Sequence, residues 1–322
     1  MAELSPKRIE SIYLLKAISS FFVVTLHSSF FLKEWLFYIL GVGTPCFLCI
    51  TGYLLYSNSM ERELGKCTKW AKKTLKLSLV CSLFYIVFRE IMGTGKELTL
   101  SSILCIFVNG STISTVLWYL TALWHALLLF WLMRKYVPKL IYVFPFVFAL
   151  AYMIRSHPDI ICPTFDWYET HLLRCNAIVM SLPFLCTGYL IHKHKDWLLS
   201  HVKVEASLLL VMALLVGEFL LLRSKGLHDN CYFIFTYPCI VLLLLLCVKY
   251  PSFKLPVINQ IGFKHSANIY YFHVAVVELG RHLELIPLKW ESPIVWLACV
   301  PVSMAFNALS KLVAKCFSRQ PA

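Results

Sequence analysis

An all-α bundle of about ten membrane-crossing helices is the fold this sequence predicts, and three observations predict it. Hydrophobic residues make up 59% of the 322 positions against 15% charged, with a mean hydropathy of +0.71, far from the range of water-soluble domains. The apolar residues come in runs long enough to cross a hydrocarbon core of roughly 30 Å at about 1.5 Å per residue. The charges lie between the runs and are shared unequally between alternate connections. The net charge of +13 therefore belongs to membrane-flanking loops and makes no case for a nucleic-acid partner.

In chain order the spans fall at 11–32, 36–56, 76–92, 115–133, 139–155, 174–191, 204–223, 230–248, 261–279 and 293–313. The run 98–108 is too short to cross and reads as interfacial or re-entrant. Ten crossings place both termini on one side. Assigning the termini and the even-numbered connections to that side collects 20 of the 30 Lys and Arg residues, with nine opposite and Lys16 inside the first span. The positive-inside rule makes that side cytoplasmic. Lys7 and Arg8 lead straight into a span too long for a signal-peptide core, with no small-residue cleavage pattern after it, so the first helix is expected to be retained. Residues 1–322 are expected to form a single transmembrane domain without a separate soluble one.

The first span carries the chemistry. Lys16 and His27 are separated by three helical turns plus roughly 20°, which puts them on one face about 16 Å apart, with Tyr13 and Ser20 within about 40° of it. A stripe of Tyr13, Lys16, Ser20 and His27 is expensive against lipid, so it is expected to line a protein interior or a wet cavity. A lone apolar-face histidine is more often a packing residue. The membrane setting and the companion lysine raise the case for function.

Three further stretches stand out. Lys69, Lys72, Lys73 and Lys76 recur at i, i+3, i+4 and i+7, one face of a helix leading into the third span, and suit either anionic lipid headgroups or a phosphate-rich cytoplasmic ligand. The outer connection 155–173 combines His157, Asp159, Asp166, Trp167, Tyr168, Glu169 and His171, a mixture that fits a carbohydrate-binding mouth or a solvated loop. In IGFKHSANIYYFH, residues 261–273, Gly262, Ser266, Tyr270 and His273 fall near helical spacing, and His273 reads more readily as a packed histidine than as a second catalytic one. Most of the 13 cysteines sit inside spans, where packing is their role, and no metal site is expected. Cys162 and Cys175 share one outer loop, where a disulfide or two thiols are both open. No heptad, dinucleotide fingerprint, Walker loop or internal repeat stands out.

Together these segments resemble the acyltransferase 3 family of integral membrane O-acyltransferases. The likeness is greatest to its short single-domain members that acetylate bacterial surface glycans, the enterobacterial common antigen type. Arg8, Ile9, Leu15, Lys16, Ile18 and His27 resemble the family's R-I-x-x-x-D-x-L-R-G-I…H; TPCFLCITGYLLY (44–56) its V-P-x-F-F-x-x-S-G-Y-L; KKTLKL (72–77) its R-R-x-x-R-I; LWYLTALW (117–124) its L-W-F-L-x-A-L; and GFKHSANIYYFH (262–273) its G-x-x-S-x-x-I-Y-x-x-H. The order of the pieces is more specific than any one of them. Tyr13 replaces the usual acidic residue, and Lys16, Lys73 and Lys76 replace arginines, which keeps charge but loses the bidentate fork.

The resemblance implies acetyl-CoA as a cytoplasmic donor and a hydroxyl of a surface or lipid-linked saccharide as acceptor. His27 becomes the general base or transient acyl carrier. Lys16 stabilises the thioester or its oxyanion. Lys73 and Lys76, with Lys69 and Lys72, hold the CoA phosphates, while Asp159, Asp166, Glu169, Tyr270 and His273 are candidates for the acceptor. The rival class is a proton-coupled transporter with Lys16, His27, His273 and Glu278 as a relay. A sensor or scaffold that keeps the fold without the chemistry is the third. Oligomeric state is not readable.

Overall fold

The computed structural model describes residues 9–95, 99–108, 110–111, 113–156, 175–226 and 233–318. Among them every regular element is helical. The helices are α1 (Glu10–His27), α2 (Lys33–Leu40), α3 (Gly43–Leu55), α4 (Met60–Ile91), α5 (Leu100–Val108), α6 (Trp118–Tyr136) and α7 (Leu140–Ser156). After a π-turn at Ala177–Ser181 come α8 (Leu182–Lys193), α9 (Lys195–His201), α10 (Val204–Ser224), α11 (Thr236–Lys249), α12 (Pro256–Lys264), α13 (Ser266–His282) and α14 (Glu291–Ser318). Among the described residues three stretches are by themselves long and apolar enough to cross a bilayer: Lys33–Leu55, Val204–Ser224 and Leu288–Leu312. The most apolar window of the first is 83% buried and that of the second 17%, so α3 and the end of α2 run through the middle of the bundle while α10 presents its flank outward.

Boundaries differ from the linear reading where the chain bends. The expected second span is two helices, α2 and α3, meeting at Gly41 and Val42. The ninth breaks at His265, between α12 and α13, so the expected run of Gly262, Ser266, Tyr270 and His273 crosses a bend. The basic segment and the third span are instead one 32-residue helix, α4, whose N-cap Ser59 accepts a hydrogen bond from the Arg62 amide.

At the centre α3 crosses α8 with backbone against backbone. A β-carbon on Gly52 would overlap the Leu185 carbonyl, and one on Gly188 the Cys49 carbonyl, so only glycine permits this approach at either place. The two sites are equivalent: Thr-Gly-Tyr-Leu occurs at 51–54 and again at 187–190. Thr51 and Thr187 each donate to the carbonyl four residues back, Phe47 and Pro183 respectively. This short internal repeat corrects the expectation of none; four residues are too few to stand out until the helices that carry them are seen to cross. Gly262 does the same work for α12 against the Tyr13 carbonyl of α1.

One buried carboxylate anchors the end of α3 and the start of α4. Glu63 is fully buried and accepts from Arg134 Nε at 2.6 Å, from the Tyr189 hydroxyl at 3.1 Å and from the Ser57 amide at 3.0 Å. Beside it Lys66 donates to the carbonyls of Leu54 and Tyr56, closing the α3 C-terminus. Burial of this ammonium holds its pKa below the usual lysine value, against the opposing pull of Glu63.

Candidate active site

His27 is the last residue of α1, exposed, and its ring lies 5.1 Å from that of His273, tilted by 49°. His273 belongs to α13 and is fully buried. Its Nδ1 faces the carbonyls of Tyr270, at 2.8 Å, and Ile269, at 3.2 Å. Carbonyls only accept, so the proton is on Nδ1 and Nε2 carries a lone pair. That Nε2 is buried and has no hydrogen-bond partner. An exposed imidazole therefore stands beside a sealed one whose tautomer is fixed by its own helix.

The turn that follows His27 is held from several directions. Glu291, fully buried at the start of α14, accepts from the Ser29 amide at 2.6 Å and from Arg281 Nε and Nη2 at 2.7 and 2.8 Å. Ser28 Oγ and Ser292 Oγ share a hydrogen bond of 2.8 Å, the Ser292 amide donates to the Ser29 carbonyl, and the Phe31 amide to the Lys289 carbonyl. From the other side Lys33 Nζ donates to the carbonyls of Leu26 and Ser28, which flank His27. Each of these bonds fixes backbone next to the imidazole, so its position is set by packing and not by the helix end alone.

The expected polar stripe on α1 is divided. Ser20 is fully buried, donates to the Ala17 carbonyl and accepts from Trp296 Nε1 at 2.9 Å, so it faces α14 and not a wet cavity. Indole packing against α1 explains the difference: a buried serine is satisfied by its own helix and one neighbour. Tyr13 packs edge-on to Phe263 with ring centroids 4.9 Å apart. Lys16 is half-buried, its Nζ 6.0 Å from the Tyr13 ring, and close enough to Lys73 for that charge to act on it. About 16 Å of helix separates it from His27, too far for both to touch one carbonyl.

Lys69, Lys72, Lys73 and Lys76 are all exposed on α4 and share a face as expected, while Glu63, Cys67 and Ala71 turn inward. Tyr270 is buried beside His273, its hydroxyl 3.5 Å from Thr44 Oγ1 and its ring 4.5 Å from that of Tyr119. Asp159, Asp166 and Glu169 lie outside the described residues, as does Cys162 of the candidate bridge. Glu278 pairs with Arg89 at 3.0 Å. Five positions beyond His273 on α13, it is turned about 140° away from it.

Sequence reading missed Glu63, Glu291 and Arg281, because an acid among loop charges looks solvated until its burial is known. Their signal was position: Glu291 opens a span and Glu63 sits in the most basic segment.

No curated protein and no solved structure matches the chain. A family model described as an acyltransferase domain matches residues 9–310, which takes in α1 with His27, the α4 lysines and α13 with His273. With nearly its whole length matched and its apolar helical build, the chain belongs to the acyltransferase 3 family and is a membrane protein of acyltransferase type.

Proposed function

We infer that this protein is a membrane O-acetyltransferase that moves an acetyl group from cytoplasmic acetyl-CoA to a hydroxyl of a cell-surface or lipid-linked saccharide, as in the short glycan-modifying members of the family. The observation that carries this reading is the pair of imidazoles with ring centroids 5.1 Å apart, one exposed and the other buried with an Nε2 that has no hydrogen-bond partner. His27 takes the proton of the acceptor hydroxyl, the oxygen attacks the thioester carbonyl, the C–S bond breaks, and the leaving thiolate receives the proton back from His27. His273 Nε2 accepts a hydrogen bond from the His27 imidazole during the transfer and so orients the exchange. A transient acyl-His27 is the two-step form of the same transfer.

The lysines divide the labour by distance. Lys73 and Lys76, with Lys69, Lys72 and the nearby Lys16, offer clustered ammonium groups to the phosphates of CoA. The about 16 Å from Lys16 to His27 is the kind of distance a pantetheine arm spans, so the donor's charged end and its thioester each meet their own group. Lys16 is thereby assigned to the donor and not to the oxyanion. Both termini are placed in the cytoplasm and ten crossings in the inner membrane, on the Lys and Arg distribution.

The transporter reading needs a continuous relay, and two observations count against it: Ser20 is sealed between Lys16 and His27, and Glu278 is engaged by Arg89. Purified protein heated with and without acetyl-CoA separates the readings. Donor near 100 times its Kd adds about 2.7 kcal/mol of apparent stability to an enzyme that binds it. An unchanged melting temperature at millimolar acetyl-CoA would contradict the proposal. Mass spectrometry of glycans from cells with and without the protein then identifies the acceptor.

A further inference from the structure

A cleft of about 440 Å³ opens where α4 and α13 end, lined by Arg89, Met92, Thr94, Glu278, Arg281 and His282. Its arginines are only partly engaged. Arg89 donates through Nη1 to the Ile113 carbonyl and through Nη2 to Glu278 Oε1 at 3.0 Å, while Arg281 donates through Nε and Nη2 to the buried Glu291. A guanidinium carries five N–H groups, so each arginine keeps three for a further acceptor. Two guanidiniums set against two carboxylates leave this corner without net charge, His282 aside. Glu278 Oε2, however, is buried and has no hydrogen-bond partner among the described residues. A buried carboxylate oxygen without a donor is costly. The helix ends add to the same demand: Arg89 lies in the last turn of α4, and Arg281 and His282 in that of α13, where the partial negative charge of the final carbonyls favours a cation.

We propose that this cleft binds the headgroup of phosphatidylethanolamine, its phosphate on the open N–H groups of Arg89 and Arg281 and its ammonium on Glu278. The lining selects among lipids. An anionic headgroup such as phosphatidylglycerol adds charge to a balanced site and leaves the carboxylate without a cation. Phosphatidylcholine is balanced, but its quaternary nitrogen has no N–H to give to Oε2. The ethanolamine headgroup is neutral overall, brings three N–H donors and carries its phosphate beside them. A lipid is chosen over soluble phosphoethanolamine because the same two helix ends show exposed Val87, Leu279 and Leu283, a surface for acyl chains. The site goes beyond acyl transfer and does not depend on it. It also has a route to the imidazoles: Arg281 holds Glu291, and Glu291 accepts from the Ser29 amide, two residues after His27. A lipid phosphate on Arg281 therefore steadies the turn that follows the exposed ring.

The test titrates the full-length protein in detergent with phosphatidylethanolamine, its N,N-dimethyl derivative, phosphatidylcholine and phosphatidylglycerol of one acyl composition, and reads bound lipid by native mass spectrometry. Affinity is expected to fall as N–H groups are replaced by methyls, with phosphatidylethanolamine at least about tenfold tighter than phosphatidylcholine or phosphatidylglycerol. Glu278→Gln keeps an oxygen for Arg89 but puts an amide donor in place of Oε2 and removes the charge. It is expected to bring phosphatidylethanolamine to within about twofold of phosphatidylcholine. Melting temperature checks that this variant is folded, and the lipid series on the wild-type protein decides the question without any variant. Phosphatidylcholine or phosphatidylglycerol binding as tightly as phosphatidylethanolamine would overturn the proposal. So would a preference that survives Glu278→Gln, or soluble phosphoethanolamine binding as tightly as the lipid.

Discussion

Glu63 and Glu291 do the same structural work at opposite ends of the bundle, and what surrounds them differs. Each is a fully buried carboxylate that accepts from an arginine and from the backbone amide of a short turn, Ser57 in one case and Ser29 in the other. A charge taken out of water is costly, and the arginine and amide hydrogen bonds are what make both sites tenable. Around Glu291 the held turn begins at the end of α1, so the rigidity reaches His27. Around Glu63 the anchored helix goes on to present Lys69, Lys72, Lys73 and Lys76 on an exposed face. Proton transfer needs a base fixed to a fraction of an ångström, whereas holding a polyanion needs only enough positive charge nearby. On the proposed reading the same anchor serves two kinds of chemistry, one by fixing the reactive group and the other by fixing only the scaffold beneath it.

Four variants sharpen that contrast. At the Glu291 end, His27→Ala is expected to lower acetyl transfer by about 10²–10⁴-fold with acetyl-CoA binding retained, measured by transfer from labelled donor in reconstituted vesicles. At the Glu63 end the large effect is on stability. Arg134→Ala leaves the Glu63 carboxylate buried without its cation and is expected to cost about 3–5 kcal/mol, read from denaturant unfolding in detergent. The paired change Lys73→Ala with Lys76→Ala is expected to raise the KM for acetyl-CoA about tenfold with kcat nearly unchanged, and to flatten its salt dependence. Ser28→Ala removes one hydrogen bond to Ser292 and is expected to cost about 1 kcal/mol in the same unfolding assay, with a small loss in kcat.

Much of this was legible in the sequence where the signal was local. Apolar run lengths gave the helical class, and an ionisable pair at helical spacing on α1 drew attention to His27. The i, i+3, i+4, i+7 lysines were readable because a face of a helix is a property of spacing alone. What was not legible depended on distant segments meeting. His273 became a partner only once α13 was seen to pack against the end of α1, and Ser20 ceased to be part of a wet stripe only once Trp296 was found beside it. The break at Gly41 was invisible because apolar residues continue through it, and the one at His265 because its polar residues Lys264, His265 and Ser266 were taken in with the apolar run that follows them. The repeat of Thr-Gly-Tyr-Leu was written in the chain throughout. Its meaning lay in the crossing of α3 with α8, where each glycine makes room for the other helix.

The most direct measurement is a double-mutant comparison at the two imidazoles: transfer rates at saturating donor for His27→Ala, His273→Ala and the two combined, with folding checked by melting temperature. If the rings form one proton-handling unit, the combined variant is no slower than His27→Ala alone, within about twofold. Losses that multiply would mean that the rings act separately, and would contradict the account.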